Sequence, residues 1–281
     1  LGEHGRTVPH PLSGQALGRA AAVAAAVIVF IGVGFATGVV KLANLSQVTT
    51  LLIIIASVAY FATMLTSSRV EPIERTRVRA FIPLFLANAV FWSLFQQIFT
   101  VLAVYSDERI NWTLFGWTAP SSWIGSMEPV WIILLSPLFA LMWTKLGRSA
   151  PTTPRKFAYG VIGMGCAFLL FLPLAGGSGR TVPVLAVVAI MAAFAVSELL
   201  LSPIGLSVTT QLAPNAFRSQ MMALYFFSVG LGTAMSGVLA RYYDAAHEFA
   251  YFGILGGVAI AVGVVVWVLA PRISTLMEGV H

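Results

Sequence analysis

Charge is scarce in this sequence. Asp, Glu, Lys and Arg together make up 9% of the residues, against about 25% in an ordinary soluble domain. So few charges cannot cover a 30.0 kDa globule in water, which excludes a soluble fold. Cysteine occurs once, at Cys166, so an intrachain disulfide is impossible and the redox compartment is not readable from it. The four histidines (His4, His10, His247 and His281) all fall outside the interior of the long apolar runs. A hydrolase working inside a membrane needs a nucleophile beside a base, so that chemistry has no support. No phosphate-binding loop, HExxH or metal-spaced Cys/His cluster occurs, so neither a cofactor nor a metal is expected. No basic run is interleaved with aromatics, which argues against nucleic acid as a partner.

What the sequence has instead is apolar length. Hydrophobic residues make up 58% of the 281, and the mean hydropathy is +0.90. A bilayer core takes about 20 apolar residues per helix. Roughly eight such runs occur, near 16–40, 48–68, 80–104, 124–146, 156–175, 182–211, 219–240 and 249–271. The joints between them carry Pro, Gly or charge, as in SSRVEPIERTR, KLGRSAPTTPRK and APNAFRSQ. The reading is an all-α integral membrane protein, whose helices satisfy their backbone groups without water. Lys and Arg set the orientation. Arg6, Arg19, Arg69, Arg75, Arg77, Arg79, Lys145, Arg148, Arg155, Lys156, Arg218 and Arg272 fall on one side, and Lys41, Arg109, Arg180 and Arg241 on the other. Twelve against four makes the first side cytoplasmic, with both chain ends on it, in a multi-pass protein of the cell (inner) membrane. The opening LGEHGRTVPHPL has no initial Met and no signal peptide, and points to a chain cut from something longer.

Polar residues inside apolar runs mark where function is expected. Of the ten acids only Glu128 and Glu198 fall inside predicted spans, the other eight lying in loops or at termini. A carboxylate at the bilayer centre costs about 2.5–3.5 kcal/mol on insertion scales, so such groups usually face an interior cavity. Glu198, Ser202, Gly205 and Thr209 recur at helical spacing and share one helix face, with Pro203 permitting a bend. That stripe either lines a cavity or packs against a neighbouring helix. Glu128, before Pro129, lies near the outer end of its span, where it either serves a site or reaches interfacial water. Asn88, Trp92, Gln96 and Thr100 are spaced by four, with Ser93 and Gln97 beside them, as a polar stripe that lines a pathway or bonds helices together. Gly34-xxx-Gly38 and Gly253-xxx-Gly257 read as helix-packing contacts.

Three segments, FWSLFQQ (Phe91 to Gln97), SSWIGSMEPVWIILLSPLFALMWTKLGR (Ser121 to Arg148) and SELLLSPIGLSVTTQLAPNAFRSQMMALYFFS (Ser197 to Ser228), resemble the proton-dependent oligopeptide transporter family of the major facilitator superfamily. They are similar to its seventh, eighth, and tenth and eleventh helices. The resemblance implies a cytoplasmic linker at 1–15, an inserted two-helix hairpin at 16–79, and the C-terminal six-helix bundle at 80–281, with the N-terminal bundle absent. It implies a di- or tripeptide substrate, a proton as coupling ion, the lipid bilayer and the missing N-terminal six-helix bundle as partners, and alternating access between two bundles. Glu198 matches the acid that meets the peptide's amino terminus in relatives, followed by Ser202; Trp92 matches a cavity-wall aromatic. Three positions depart from the pattern. Gln96 stands where relatives usually have a titratable acid, Glu128 where they usually have an Asn that contacts the peptide, and Tyr225 where many have a Trp. The departures imply that proton coupling rests on Glu128 or on Glu198. They also leave open a different small solute, or a non-transporting remnant or partner module.

Overall fold

The computed structural model describes residues 14–279. Among these residues the α-helices are α1 (Gly14–Ala36), α2 (Leu45–Thr66), α3 (Pro72–Phe95), α4 (Val101–Arg109), α5 (Ile124–Leu146), α6 (Thr153–Leu169), α7 (Val184–Leu212), α8 (Arg218–Leu239) and α9 (Glu248–Leu276). Seven helical stretches are long and apolar enough to cross a bilayer. With its 23 residues, α1 is a further long helix, rising about 34 Å. The chain is thus all-α; seven of the eight predicted spans correspond to one helix or to a helix continued by a turn, and the span 80–104 to two helices joined by a turn. The predicted linker falls largely on residues 1–13, outside the described residues.

Two compact units divide at Val48 and Thr49. In the first, α1 ends in a turn that its own residues tie. Gly38 takes φ +71°, a conformation glycine adopts without cost, and Val40 donates its N–H to the Gly34 carbonyl. A methyl on Gly34 would stand 2.8 Å from Val40 Cγ2. Among the described residues the Gly34/Gly38 pattern therefore meets only its own turn, Val40 and Lys41.

In the second unit α6 packs closely on α9 and α7, and α3 on α8. Small residues allow the closest approaches. A methyl on Gly165 would lie 2.6 Å from the Gly256 carbonyl oxygen, and one on Gly256 2.8 Å from the Gly165 carbonyl oxygen. Gly257 meets nothing within 4 Å and Gly253 only Leu172 at 3.7 Å. The packing glycines of α9 are therefore Gly256 and Gly263, not the predicted Gly253 and Gly257, because the face turned to α6 is set by tertiary packing. By contrast α5 packs mainly on α7, leaving Val130, Ile133, Leu134, Leu138 and Leu141 exposed.

The predicted span 80–104 is longer than expected and broken. α3 begins at Pro72, whose fixed φ suits a first helical turn. The Glu71 N–H donates to Glu74 Oε2 at 3.1 Å, closing that helix start. Gln96–Phe99 is a 3₁₀ turn, and Thr100 takes φ −120°, ψ −95° before α4 continues to Arg109. The next joint is structured rather than a simple loop. Strand β1 (Ile110–Asn111) pairs in parallel with β4 (Val182–Pro183), and β2 (Thr113–Leu114) turns into β3 (Trp117–Thr118). Phe115 and Gly116, both at positive φ, form the two-residue turn between them.

Candidate functional site

The intramembrane acids meet. Glu128 projects from the first turns of α5 and Glu198 from the middle of α7, and their carboxyl groups stand near enough to interact. Glu128 is 5% exposed, which rules out the interfacial position open to it from sequence. Glu128 Oε1 is buried with no hydrogen-bond partner among the described residues.

One turn along α7, Ser202 neighbours the Tyr225 hydroxyl of α8. Gly205 makes room for this ring: a methyl there would stand 2.8 Å from Tyr225 Cε2. Glu128, Glu198, Ser202 and Tyr225 thus form one cluster where α5, α7 and α8 approach. The predicted α7 stripe divides at this level. Glu198 and Ser202 are partly exposed, whereas Gly205 and Thr209 are buried, Thr209 donating back to the Gly205 carbonyl at 2.7 Å.

The polar stripe on α3 is mostly not a cavity wall. Asn88, 2% exposed, donates to Ser228 Oγ at 2.6 Å. Gln97, fully buried, donates to the Ser93 and Ser236 carbonyls and accepts from Thr100 and Tyr251, joining α3, α8 and α9. These two side chains are glue between helices, because the face they occupy is covered by α8 and α9. Gln96 remains partly exposed and donates to Thr233 Oγ1 at 3.1 Å. Trp92 sits against α8, its Cβ 2.6 Å from where a Gly232 methyl would be, and its rings meet Phe91 and Phe95 edge-on. Its indole N–H has no partner among the described residues.

A cleft of about 870 Å³ opens between α5 and α7 on the side of the α5–α6 joint. Leu199 and Pro203, adjacent in the chain to Glu198 and Ser202, line it together with Ser207, Gln211 and Lys156. The Lys156 ammonium stands 4.4 Å from the centre of the Trp143 ring, a cation–π contact at this rim.

One buried ionic cluster was not legible from sequence. Arg109 and Glu248, read as loop charges, are 4% and 1% exposed and bond through Nε and Oε1 at 2.9 Å. Arg109 also donates to the Gly179 and Leu174 carbonyls, and Glu248 accepts from the Gly176 N–H and the Tyr243 hydroxyl. Burial and the Glu248 carboxylate push the Tyr243 phenol well above its ordinary range. The partners stand 139 positions apart, and no spacing rule reaches that far. The hint in sequence was a single acid opening a long apolar run.

Comparison with known proteins agrees with this architecture. Residues 20–258 match a protein-family profile described as POT family. A di-/tripeptide transporter of Lactococcus lactis subsp. cremoris is 39% identical over 245 residues, 85% of this chain and 49% of that protein. An uncharacterized transporter, YclF of Bacillus subtilis (strain 168), is 37% identical over the full chain and 57% of its own length. Among solved structures, a mutant of peptide transporter POT in complex with alafosfalin superposes with a TM-score of 0.88 at 40% identity, over 99% of this chain and 57% of that one. A POT family transporter in complex with 5-aminolevulinic acid gives 0.83 at 31% identity, over 94% and 56%. The chain therefore spans about half, or slightly more, of the length of these relatives.

Proposed function

The chain belongs to the POT family, whose relatives here are transporters rather than enzymes, and we propose that it is the C-terminal part of a proton-coupled di- and tripeptide symporter. The observation that carries this reading is the pair of intramembrane acids, buried Glu128 and partly exposed Glu198, beside Ser202 and Tyr225. It is an acidic site for an ammonium group, built where α5, α7 and α8 converge in a chain otherwise poor in charge. Intramembrane carboxyl groups of this kind mark ion and substrate pathways. In this reading residues 1–15 are a linker, 16–79 an inserted hairpin and 80–281 the C-terminal bundle. A preceding six-helix bundle supplies the groups that hold the peptide carboxylate. The two bundles rock about the site for alternating access, with a proton as coupling ion and no cofactor. Glu198 and Ser202 meet the peptide amino terminus, Tyr225 and Trp92 form wall, and Gln96 replaces a coupling acid.

The test is uptake of a labelled dipeptide into proteoliposomes containing the complete transporter, with an inward proton gradient. Gradient-dependent uptake that unlabelled dipeptides block, and that Glu198→Gln reduces to background, is the expected result. No uptake of any di- or tripeptide by folded protein overturns the reading. A second reading, a small amino-bearing solute other than a peptide, draws support from the relative solved with 5-aminolevulinic acid. Saturable uptake of such a solute with none of dipeptides would establish it in place of the first.

A further inference from the structure

We propose that the cleft between α5, α6 and α7 seats an anionic phospholipid, with its headgroup phosphate at Lys156 and an acyl chain lying along α7. This cleft is separate from the acid cluster. At 3.6 residues per turn, Pro203, Ser207 and Gln211 stand on roughly the opposite side of α7 from Glu198. Helices α5 and α6 each pack on α7 and leave the space between them open. Helix α2 lies elsewhere, with Tyr60 stacked on Phe227 of α8 and Phe61 against Phe81 and Phe85 of α3.

Length, polarity and charge together select the occupant. From Leu199 to Gln211 the α7 wall of the cleft rises about 18 Å, close to the roughly 15 Å of hydrocarbon in one leaflet. Its deep part is apolar, lined by Phe139, Leu199 and Ile204. Its mouth, at the α5–α6 joint, carries Thr152, Ser207, Gln211 and Lys156. A soluble anion has no use for the deep wall, and a purely apolar ligand has none for the mouth; a phospholipid matches both. Charge then sets the sign of the headgroup. No Asp or Glu occurs between Pro129 and Ser197, whereas Lys145, Arg148, Arg155 and Lys156 all fall at or beside this joint. Among the described residues Lys156 pairs with no carboxylate, and its ammonium rests 4.4 Å from the centre of the Trp143 ring. Trp and Lys at the end of a span sit at headgroup depth, and basic pockets between membrane helices bind anionic headgroups.

The test titrates the complete transporter, in a neutral detergent, with dioctanoyl-phosphatidylglycerol and follows its thermal midpoint, so it does not depend on what the protein carries. A saturable rise is expected, with dioctanoyl-phosphatidylcholine binding at least about fivefold more weakly and glycerol phosphate leaving the midpoint unmoved. Lys156→Gln is expected to weaken the phosphatidylglycerol affinity at least about fivefold, and Lys156→Arg, which keeps the cation, to stay within about threefold of wild type. Arg272→Gln removes an exposed cation of α9 outside the cleft and is expected to bind as wild type does. A phosphatidylglycerol with a photoreactive acyl chain is expected to cross-link wild-type protein within 139–143 and 199–204. Equal affinity for phosphatidylcholine overturns the proposal, as does an equal loss in Arg272→Gln, which would mark a diffuse attraction. Glycerol phosphate bound as tightly as the lipid assigns the mouth to a soluble anion instead. Cross-links confined to other segments overturn the cleft as the seat, including the case in which the other bundle covers it. Should Lys156→Gln fail to fold, the wild-type cross-links and the lipid comparison decide alone.

Discussion

A phenol held against a serine is sensitive to the space behind it. Tyr225 is 6% exposed and leans on the α-carbon of Gly205, where an added methyl would stand 2.8 Å from the ring and 3.4 Å from Phe157 Cζ. Phe157 is itself buried and cannot retreat. Gly205→Ala should therefore displace the ring from its place beside Ser202, at a cost of about 1 kcal/mol or roughly fivefold in dipeptide affinity. Tyr225→Phe, which removes the hydroxyl without crowding, should give a comparable loss in the same equilibrium binding measurement. If Gly205→Ala binds as wild type does while Tyr225→Phe does not, the ring has another place to go. At this scale the sequence named the residues but not their partners. Glu128, Glu198, Ser202 and Tyr225 stood out as polar groups in apolar runs, yet which of them touch is decided by how α5 and α8 lean on α7. The same limit hid the bond of Arg109 to Glu248, and left open whether Asn88 and Gln97 line a pathway or bond helices together, as they do to α8 and α9.

Helices were the most legible objects, because a run of apolar residues long enough to cross a bilayer has few alternatives to a helix. The fifth helix is bounded as hydropathy predicts, at Ile124–Leu146. The break at Gln96–Phe99 escaped prediction, since hydropathy averages over a turn whose polar side chains bond to α8 and α9. Packing glycines were legible as a class but not by position. Gly165→Ala puts a methyl 2.6 Å from the Gly256 carbonyl oxygen and 2.9 Å from the Ile260 nitrogen, backbone atoms that move only with their helix. Parting α6 from α9 should cost about 1–3 kcal/mol, seen as a lower thermal midpoint in detergent. Gly257→Ala, whose methyl meets nothing within 4 Å, should leave the midpoint near wild type. The reverse ranking would return the α9 contact to the Gly253/Gly257 face.

Over the whole second unit, contacts between joints sort them to two ends. At one end Glu74 Oε1 accepts from the Asn215 N–H at 2.9 Å, Arg69 lies over the Phe217 ring, and Arg77 donates to the Glu278 carbonyl. At the other, Arg180 donates to the Asp107 carbonyl, and Arg109 gathers the 174–179 joint and the start of α9. Arg69, Arg75, Arg77, Arg79 and Arg218 belong to the first end, so the positive-inside bias and the packing divide the chain the same way. The first end should then face the cytoplasm and the second the exterior. Ser68 and Ser178 are exposed on joints at the two ends, and Cys166, the single native thiol, can be replaced by Ala to give a silent background. In the complete transporter in intact cells, a membrane-impermeant maleimide should label Ser178→Cys directly and Ser68→Cys only after permeabilisation. Labelling in the opposite order would invert the orientation. It would also place the α5–α7 cleft, which is lined by Leu199 and Pro203 and opens towards the α5–α6 joint, on the exterior side.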